Sequence, residues 1–405
     1  MEQVRMGIVG LGAQGGLYAT LITGVAPREG GPGPARGPQG PQIPGMALGA
    51  ICDVDPAKRD LAARYYPDTP FFSDYREMIT SGTVDAVVTT LPHYYHPEVA
   101  IYALEHGIHA LVDKPAGVYT KQVRELNAVA AAHPELTYAI MFNQRTNPLY
   151  IRIKEIMDSG ELGAMRRANW IITTWWRPQA YYDQSAWRAT WGGEGGGVLV
   201  NQAPHQLDLM QWICGMPKKV FSICKFGYRR DIATEDEATA LFDYGDATGV
   251  FITCTHDVLG TDRLEILCDG GKIVVDNSNR AVVKRLKTSE NEMNATMTSQ
   301  DVRALFMSAR GGGENALYDE EVIEFTRERL MGTQHTKVLT DFAAHIVENE
   351  PLVASGADGI HGVEVANAIL LSTWLGREVE LPLDEDLFLS ELNKRIAQEG
   401  KYPTR

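Results

Sequence analysis

The pattern of apolar and polar positions changes character along the chain. From residue 4 short apolar runs alternate with stretches of helical spacing: "VRMGIV", "AQGGLYATLI", "MALGAIC", "PAKRDLAARYY", "VDAVVTTLP", a helix from Pro97 to His106, "IHALVD", "KQVRELNAVAAA" and "LTYAIMF". Strands alternating with helices predict a doubly wound parallel sheet. Residues 219 to 285 instead read as several alternating strands, with turn signals at "DYGDAT", "LGTD" and "CDGGK". Beyond them, "TKVLTDFAAHIVENE" and "GIHGVEVANAILLSTWLGREVELPL" return to helical apolar spacing.

In the first strand-to-helix unit, "VRMGIVGLGAQGGLYATLI", the turn carries Gly10, Gly12 and Gly15, and the helix starts near Ala13. A strand before such a turn and a helix after it let backbone N–H groups of Gly12, Ala13 and Gln14 hold a pyrophosphate at the helix N-terminus. An acid for the adenosine ribose is expected about 20 residues later, yet Asp53 follows Gly15 by 38. The excess is the stretch 27–45, "PREGGPGPARGPQGPQIPG", in which 12 of 19 residues are Gly or Pro. It can form neither a helix nor a strand interior and reads as a surface insertion. Without it the spacing is 19 residues, and Asp53 is placed to accept from both ribose hydroxyls, which favours NAD over NADP. Ligands in such sheets lie beyond the carboxyl ends of the strands, which draws attention to Thr90, Pro92, His93, His96, Asp113 and Lys114.

Composition narrows the partners. At 405 residues, 44% hydrophobic and 22% charged, the chain has material for two or three domains with full cores. A net charge of −14 argues against nucleic acid or anionic lipid as partner, since both need a basic surface. No basic leader precedes the first strand and no apolar window reaches a bilayer's width, so a cytoplasmic protein is expected. Five scattered cysteines (Cys52, Cys214, Cys224, Cys254 and Cys268) without a C-x-x-C pair indicate reduced thiols, with neither a disulfide framework nor a metal site.

Six ordered segments carry a resemblance: the glycine turn, "VDAVVTTLPHYYHPEVA", "HALVDKP", "FNQRTNPLYIRIKEIMDSGELG", "GGGVLVNQAPHQLDLMQW" and "RLEILCDGGKI". In order and separation they resemble the Gfo/Idh/MocA family of sugar oxidoreductases over nearly the whole chain. The resemblance implies an α/β protein with an NAD(P)-binding Rossmann domain at residues 1–145. It further implies a substrate domain at 146–335 built on a large open, mostly antiparallel sheet, and C-terminal helices at 336–405 packing back on the first domain. A homo-oligomer paired through the open sheet and a small carbohydrate substrate are the expected partners. The cofactor contacts expected are Gly10, Gly12, Ala13, Gln14, Gly15, Asp53, Thr90, Pro92, His96, Asp113 and Lys114.

Lys114 in "DKP" corresponds to the lysine of the family's E-K-P signature, with Asp113 in the place of glutamate. Its ammonium group is expected to stabilise a developing alkoxide. Relatives usually carry an Asp and a His four residues apart after the glycines; here those positions hold Asn201 and His205. One helical turn separates them, so a helix through both would aim them at one ligand. His205 is the expected general base, because imidazole titrates near neutrality. Asn201 is expected to orient a sugar hydroxyl; its other reading is a helix cap. Asp208 either orients His205 or begins the solvent-facing side. "WWRPQAYYDQSAWRATW" interleaves rings with arginines, which suits carbohydrate although core packing is the other reading, and Tyr181, Tyr182 and Arg188 are expected to contact substrate. Asn143 and Arg145 resemble family positions near the nicotinamide and substrate, and with Asn201 and Asp208 they complete the expected contacts. The expected activity is NAD-dependent oxidation of a secondary hydroxyl of a sugar, glycoside or polyol. A glycoside-cleaving variant, with transient oxidation, elimination and re-reduction, uses the same residues, and a non-catalytic NAD-binding sensor is the remaining alternative.

Overall fold

A computed structural model describes residues 3–26, 43–310, 317–325 and 334–405. Most of the Pro/Gly-rich insertion, residues 27–42, lies outside the described residues. Six parallel strands form the first sheet: β1 (Val4–Val9), β2 (Met46–Cys52), β3 (Phe71–Phe72), β4 (Ala86–Thr89), β5 (His109–Val112) and β6 (Tyr138–Ile140). Their spatial order is β3-β2-β1-β4-β5-β6. The strand order reverses between β1 and β4, so a crevice opens beyond Val9 and Thr89. The continuous apolar runs are explained by cover on both faces. Val4, Met6 and Ile8 pack with Tyr18 and Ile22 of the helix Ala13–Thr23. Val9 and Val87 pack on the other face with Met78 and Val99.

Nine strands form the second sheet: β7 (Met165–Ile172), β8 (Lys219–Phe226), β9 (Glu235–Asp243), β10 (Thr248–Cys254), β11 (Asp262–Cys268), β12 (Gly271–Asp276), β13 (Arg280–Leu286), β14 (Tyr318–Glu324) and β15 (Val379–Glu380). The order is β14-β13-β12-β11-β7-β10-β9-β8-β15. Every neighbouring pair is antiparallel except β7 with β10. Alternation sets its two faces: in β8, Val220, Ser222 and Cys224 are buried while Phe221 and Ile223 are exposed. The inward face meets three helices, Pro148–Ser159, Pro204–Cys214 and Gly359–Leu375, around Trp170, Phe251 and Ile273. Trp170 belongs wholly to this core, and its indole N–H donates to Asp262 Oδ1 at 3.1 Å.

The C-terminal segment packs on both domains: Val363 joins Ala116, Val123 and Ile140 of the first, and Arg124 pairs with Glu385. The helix Gln334–Glu348 does return to the parallel sheet, where Val338, Leu339 and Phe342 fill the core. The helix Gly359–Leu375 lies against β8, β15 extends the second sheet, and Phe388, Leu392 and Ile396 of Glu385–Glu399 complete the second core. Helical spacing identifies an apolar face but not the surface it will cover. The cysteines are unbonded, and among the described residues no acidic, histidine or cysteine cluster suits a metal and no helix is long and apolar enough to cross a membrane.

Candidate active site

The glycine turn closes only because side chains are missing from it. A Cβ on Gly15 would lie 1.9 Å from the Gly10 carbonyl oxygen, and one on Gly10, at φ +100°, would lie 2.6 Å from that of Thr90. Helix Ala13–Thr23 can therefore start against the end of β1. Its N-cap, Gly12, has open space beside it and no side chain caps the helix. Amide donors thus face the crevice, with Ala13 and Gln14 in the first turn. Thr90 ties its hydroxyl to the Val9 and Gly10 carbonyls at 3.0 and 2.6 Å. Asp53, just after β2, accepts from Leu11 N at 2.7 Å, which holds its carboxylate beside the same turn. Amide donors at a helix start and an acceptor carboxylate fit a dinucleotide's pyrophosphate and ribose.

Two expected cofactor contacts have other duties. His96 is 2% exposed, and its ring nitrogens face the Pro115 and Leu91 carbonyls, both at 2.8 Å. Burial pins this imidazole between the loops after β4 and β5, away from the crevice surface. Asp113 receives Tyr18 Oη–H at 2.8 Å and Lys114 N–H at 2.7 Å, so both carboxylate oxygens are engaged in fixing the Lys114 turn. Pro92 is half-buried beyond β4, at the crevice.

Lys114 brings an ammonium group from the first sheet to the second. The Lys114–Pro115 bond is cis, and Nζ donates to the Asn201 carbonyl oxygen at 2.8 Å. Burial holds the amine below the ordinary lysine value, opposed by Asp113 and Glu194 and assisted by the charges of Arg188 and Arg177. His205 occupies the first turn of Pro204–Cys214. Its Nδ1 is buried without a hydrogen-bond partner among the described residues. Burial, then the charges of Lys114 and His335, hold it well below the ordinary histidine value. The imidazole is therefore neutral at neutral pH and able to accept a proton.

Asn201 and His205 do not share one continuous helix. A short helix, Val198–Asn201, ends before the chain turns at Ala203, which is the N-cap of Pro204–Cys214. Asn201 is consequently not a cap: its amide N–H₂ donates to Glu194 Oε1 at 2.5 Å and reaches Tyr181 Oη at 3.4 Å. Tyr181 Oη also accepts from Arg188 Nη1 at 2.8 Å. Tyr182 differs from its neighbour, because it is 7% exposed and donates to Thr255 Oγ1 within the protein. Asp208 neither orients His205 nor faces solvent. Its carboxylate binds Arg145 through Nε at 2.9 Å and Nη2 at 2.6 Å, and Arg145 Nη1 reaches Asp358 at 2.7 Å. At 5% and 1% exposure, Arg145 and Asp208 are committed to each other, not presented to a ligand. Asn143 keeps a buried Oδ1 with no partner among the described residues, while its N–H₂ faces His335 Nε2 at 3.2 Å.

Two residues absent from the sequence reading join the site. Glu194 is 1% exposed; burial pushes its carboxyl up to about 7, against bonds from Ala189 N and Asn201 and the charges of Arg188 and Lys114. Its Oε1 accepts from the side-chain amide of Asn201, seven residues further along the chain. His335, from the helix Gln334–Glu348, brings a second imidazole against Asn143 and lies 6.0 Å, ring to ring, from Tyr18.

Comparison with known proteins follows the same outline. Residues 4–141 match the model described as oxidoreductase family, NAD-binding Rossmann fold, and residues 150–274 match that of the GFO/IDH/MocA C-terminal domain. The uncharacterized oxidoreductase YrbE of Bacillus subtilis (strain 168) is 22% identical over 389 residues, 95% of this chain and 99% of its own length. Inositol 2-dehydrogenase of Corynebacterium glutamicum (strain R) is 24% identical over 216 residues, 53% of this chain and 55% of its own. The fold is shared with the WlbA dehydrogenase from Bordetella pertussis, solved in complex with NADH and UDP-GlcNAcA, at a TM-score of 0.70 and 20% identity over 94% of this chain and all of that one. The chain belongs to the Gfo/Idh/MocA family of oxidoreductases and binds NAD through its N-terminal Rossmann fold.

Proposed function

We propose that the protein is an NAD-dependent dehydrogenase that oxidises a secondary hydroxyl of a sugar, glycoside or polyol. The observation that carries this reading is His205: a buried imidazole whose Nδ1 has no partner among the described residues, kept neutral by burial and by the field of Lys114. His205 removes the hydroxyl proton. Lys114 Nζ, anchored on the Asn201 carbonyl, stabilises the negative charge that develops on that oxygen. Asn201, with its amide N–H₂ held by Glu194, offers Oδ1 as an acceptor for a neighbouring hydroxyl. NAD⁺, when held by the glycine cradle and Asp53, accepts the hydride from the carbinol carbon. Family relatives named as acting on inositol support a polyhydroxylated substrate.

The test is a screen of sugars and polyols for NADH formation, followed by His205→Ala with the best substrate. Turnover should fall while the NAD⁺ dissociation constant stays within about threefold. Full turnover by the variant, or no NADH from any polyhydroxylated compound, contradicts the assignment.

A further inference from the structure

Two arginines border this site. Although the whole protein carries −14, the charges of Arg188 and Arg177 act on Lys114, against those of Asp113 and Glu194. Arg188 and Arg177 lie 4.7 and 5.1 Å from the centre of the Tyr181 ring. The phenol oxygen of that ring is 2.8 Å from Arg188 Nη1 and 3.4 Å from the amide of Asn201. Arg188 is therefore one side chain removed from the reacting centre. Arg230 Nε donates to the Arg177 carbonyl oxygen at 2.6 Å, which holds the outer part of the rim together.

Only one of these guanidinium groups has a carboxylate partner among the described residues. Among the described residues, Arg177 and Arg230 have no acid within 4.0 Å, and Arg188 has only Glu194, at a loose 3.8 Å. Asp183, on the loop that follows Tyr181, accepts from Gln179 instead. Glu194 is a weak counter-ion besides, because burial leaves it only partly ionised near neutral pH. Arg145, Arg166, Arg263 and Arg285 by contrast each bind two acids, while Arg59, Arg64, Arg167, Arg229 and Arg377 have none within 4.0 Å among the described residues; Arg188 and Arg177 differ from the latter in their place beside Tyr181. An arginine fork stacked on an aromatic ring is already oriented, so binding an anion there sacrifices little side-chain freedom. The fork also matches two oxygens of a carboxylate or phosphate.

Resting on the dehydrogenase reading above, we infer that the substrate is an anionic sugar or polyol, whose carboxylate or phosphate group is received by Arg188 and Arg177 while the hydroxyl to be oxidised lies at His205 and Lys114.

The experiment is calorimetric titration of the NADH-loaded protein with glucose, glucuronate and glucose 6-phosphate, and with galactose and galacturonate, paired with NAD⁺ turnover of the same compounds. In at least one pair the anionic member should bind tenfold or more tightly than its neutral counterpart, and the preference should shrink at high ionic strength. Uronates and phosphates as separate arms identify which anion the forks accept. Arg188→Met with Arg177→Met should erase the preference by weakening the anionic member at least tenfold more than the neutral one; Arg188→Lys, which retains charge without the fork, should keep part of it. Neutral members binding as well as anionic ones in every pair overturns the inference. So does a preference that survives the double substitution, or an equal loss for neutral and anionic sugars, which would make the arginines a scaffold for Tyr181. Anion preference without turnover of any compound would sink the dehydrogenase reading alone; turnover confined to neutral sugars would sink the anion alone.

Discussion

The helix Pro204–Cys214 carries His205 and Asp208 less than one turn apart, and the two side chains enter different buried clusters. Asp208 meets Arg145, which also binds Asp358 and stacks on Phe142 and Trp212 at 5.1 and 5.3 Å. Burial alone would lower the Arg145 guanidinium; its bonds to the two aspartates outweigh that, so it stays above its ordinary value. Every strong charge in this cluster is answered from within the protein. His205 instead meets Lys114 and His335, whose charges oppose its protonation, and its Nδ1 has no partner among the described residues. Both clusters stand at the junction of the two sheets, and both look equally polar in sequence. The difference lies in what is left unsatisfied: a complete ion pair fixes the junction, while an incomplete one has capacity to act on a ligand.

Substitutions separate the two roles. His205→Ala should lower kcat by about 10² to 10⁴, the usual contribution of a positioned base, with the melting temperature little changed. Arg145→Met should do the reverse, costing about 3 to 5 kcal/mol of stability in denaturant titration because Asp208 is left buried and unpaired. The double variant Arg145→Met with Asp208→Leu should recover much of that loss. If Arg145→Met instead removed turnover and left stability intact, the contrast between the clusters would be wrong.

Buried carboxyls give a smaller, pH-dependent effect. Glu235 accepts from Gly197 N and Leu199 N through Oε1, its buried Oε2 has no partner among the described residues, and burial pushes its carboxyl up to about 7. Its folded value lies above its unfolded one, so the stability of the protonated form is fully present below about 4.5 and is lost as pH rises through about 7. Glu235→Gln should reduce the decline in stability between pH 5 and 8 by about 2 kcal/mol, read from denaturant midpoints. Smallest is the displacement of the pH profile. Because both His205 and Lys114 are held below their ordinary values, the acid and alkaline limbs of kcat/KM should both fall below about 6.5 and about 10.4 respectively. An acid limb at or above 6.5 would remove the case for a desolvated base.

The legible and illegible parts of the molecule divide by the range of the interactions involved. Gly10, Gly15 and Asp53 could be read because a strand, a tight turn and a helix dictate them within a short segment once the insertion is discounted. The alternation of β8 to β13 is equally local. Asp208 was opaque because its partner, Arg145, lies 63 residues earlier, and helical spacing cannot say which distant group will claim a carboxylate. Tyr182 and Tyr181 are adjacent in sequence and similar in chemistry, yet one packs on Thr255 and the other borders Asn201. His335 reaches Asn143 across 192 residues and gave no local sign. Glu194 did leave a trace. It is a single acid among five glycines, in "GGEGGG", and such glycines mark close approach: a Cβ on Gly197 would lie 2.0 Å from the Glu235 carbonyl oxygen. The acid embedded there is buried, and burial pushes its carboxyl up.

Most direct for the central claim is the structure of the protein with NAD⁺ and the sugar that the turnover screen selects. One hydroxyl of that sugar should sit within hydrogen-bond distance of both the His205 ring and Lys114 Nζ, with its carbon facing the nicotinamide. A sugar bound with its reacting hydroxyl out of reach of either group would contradict the account.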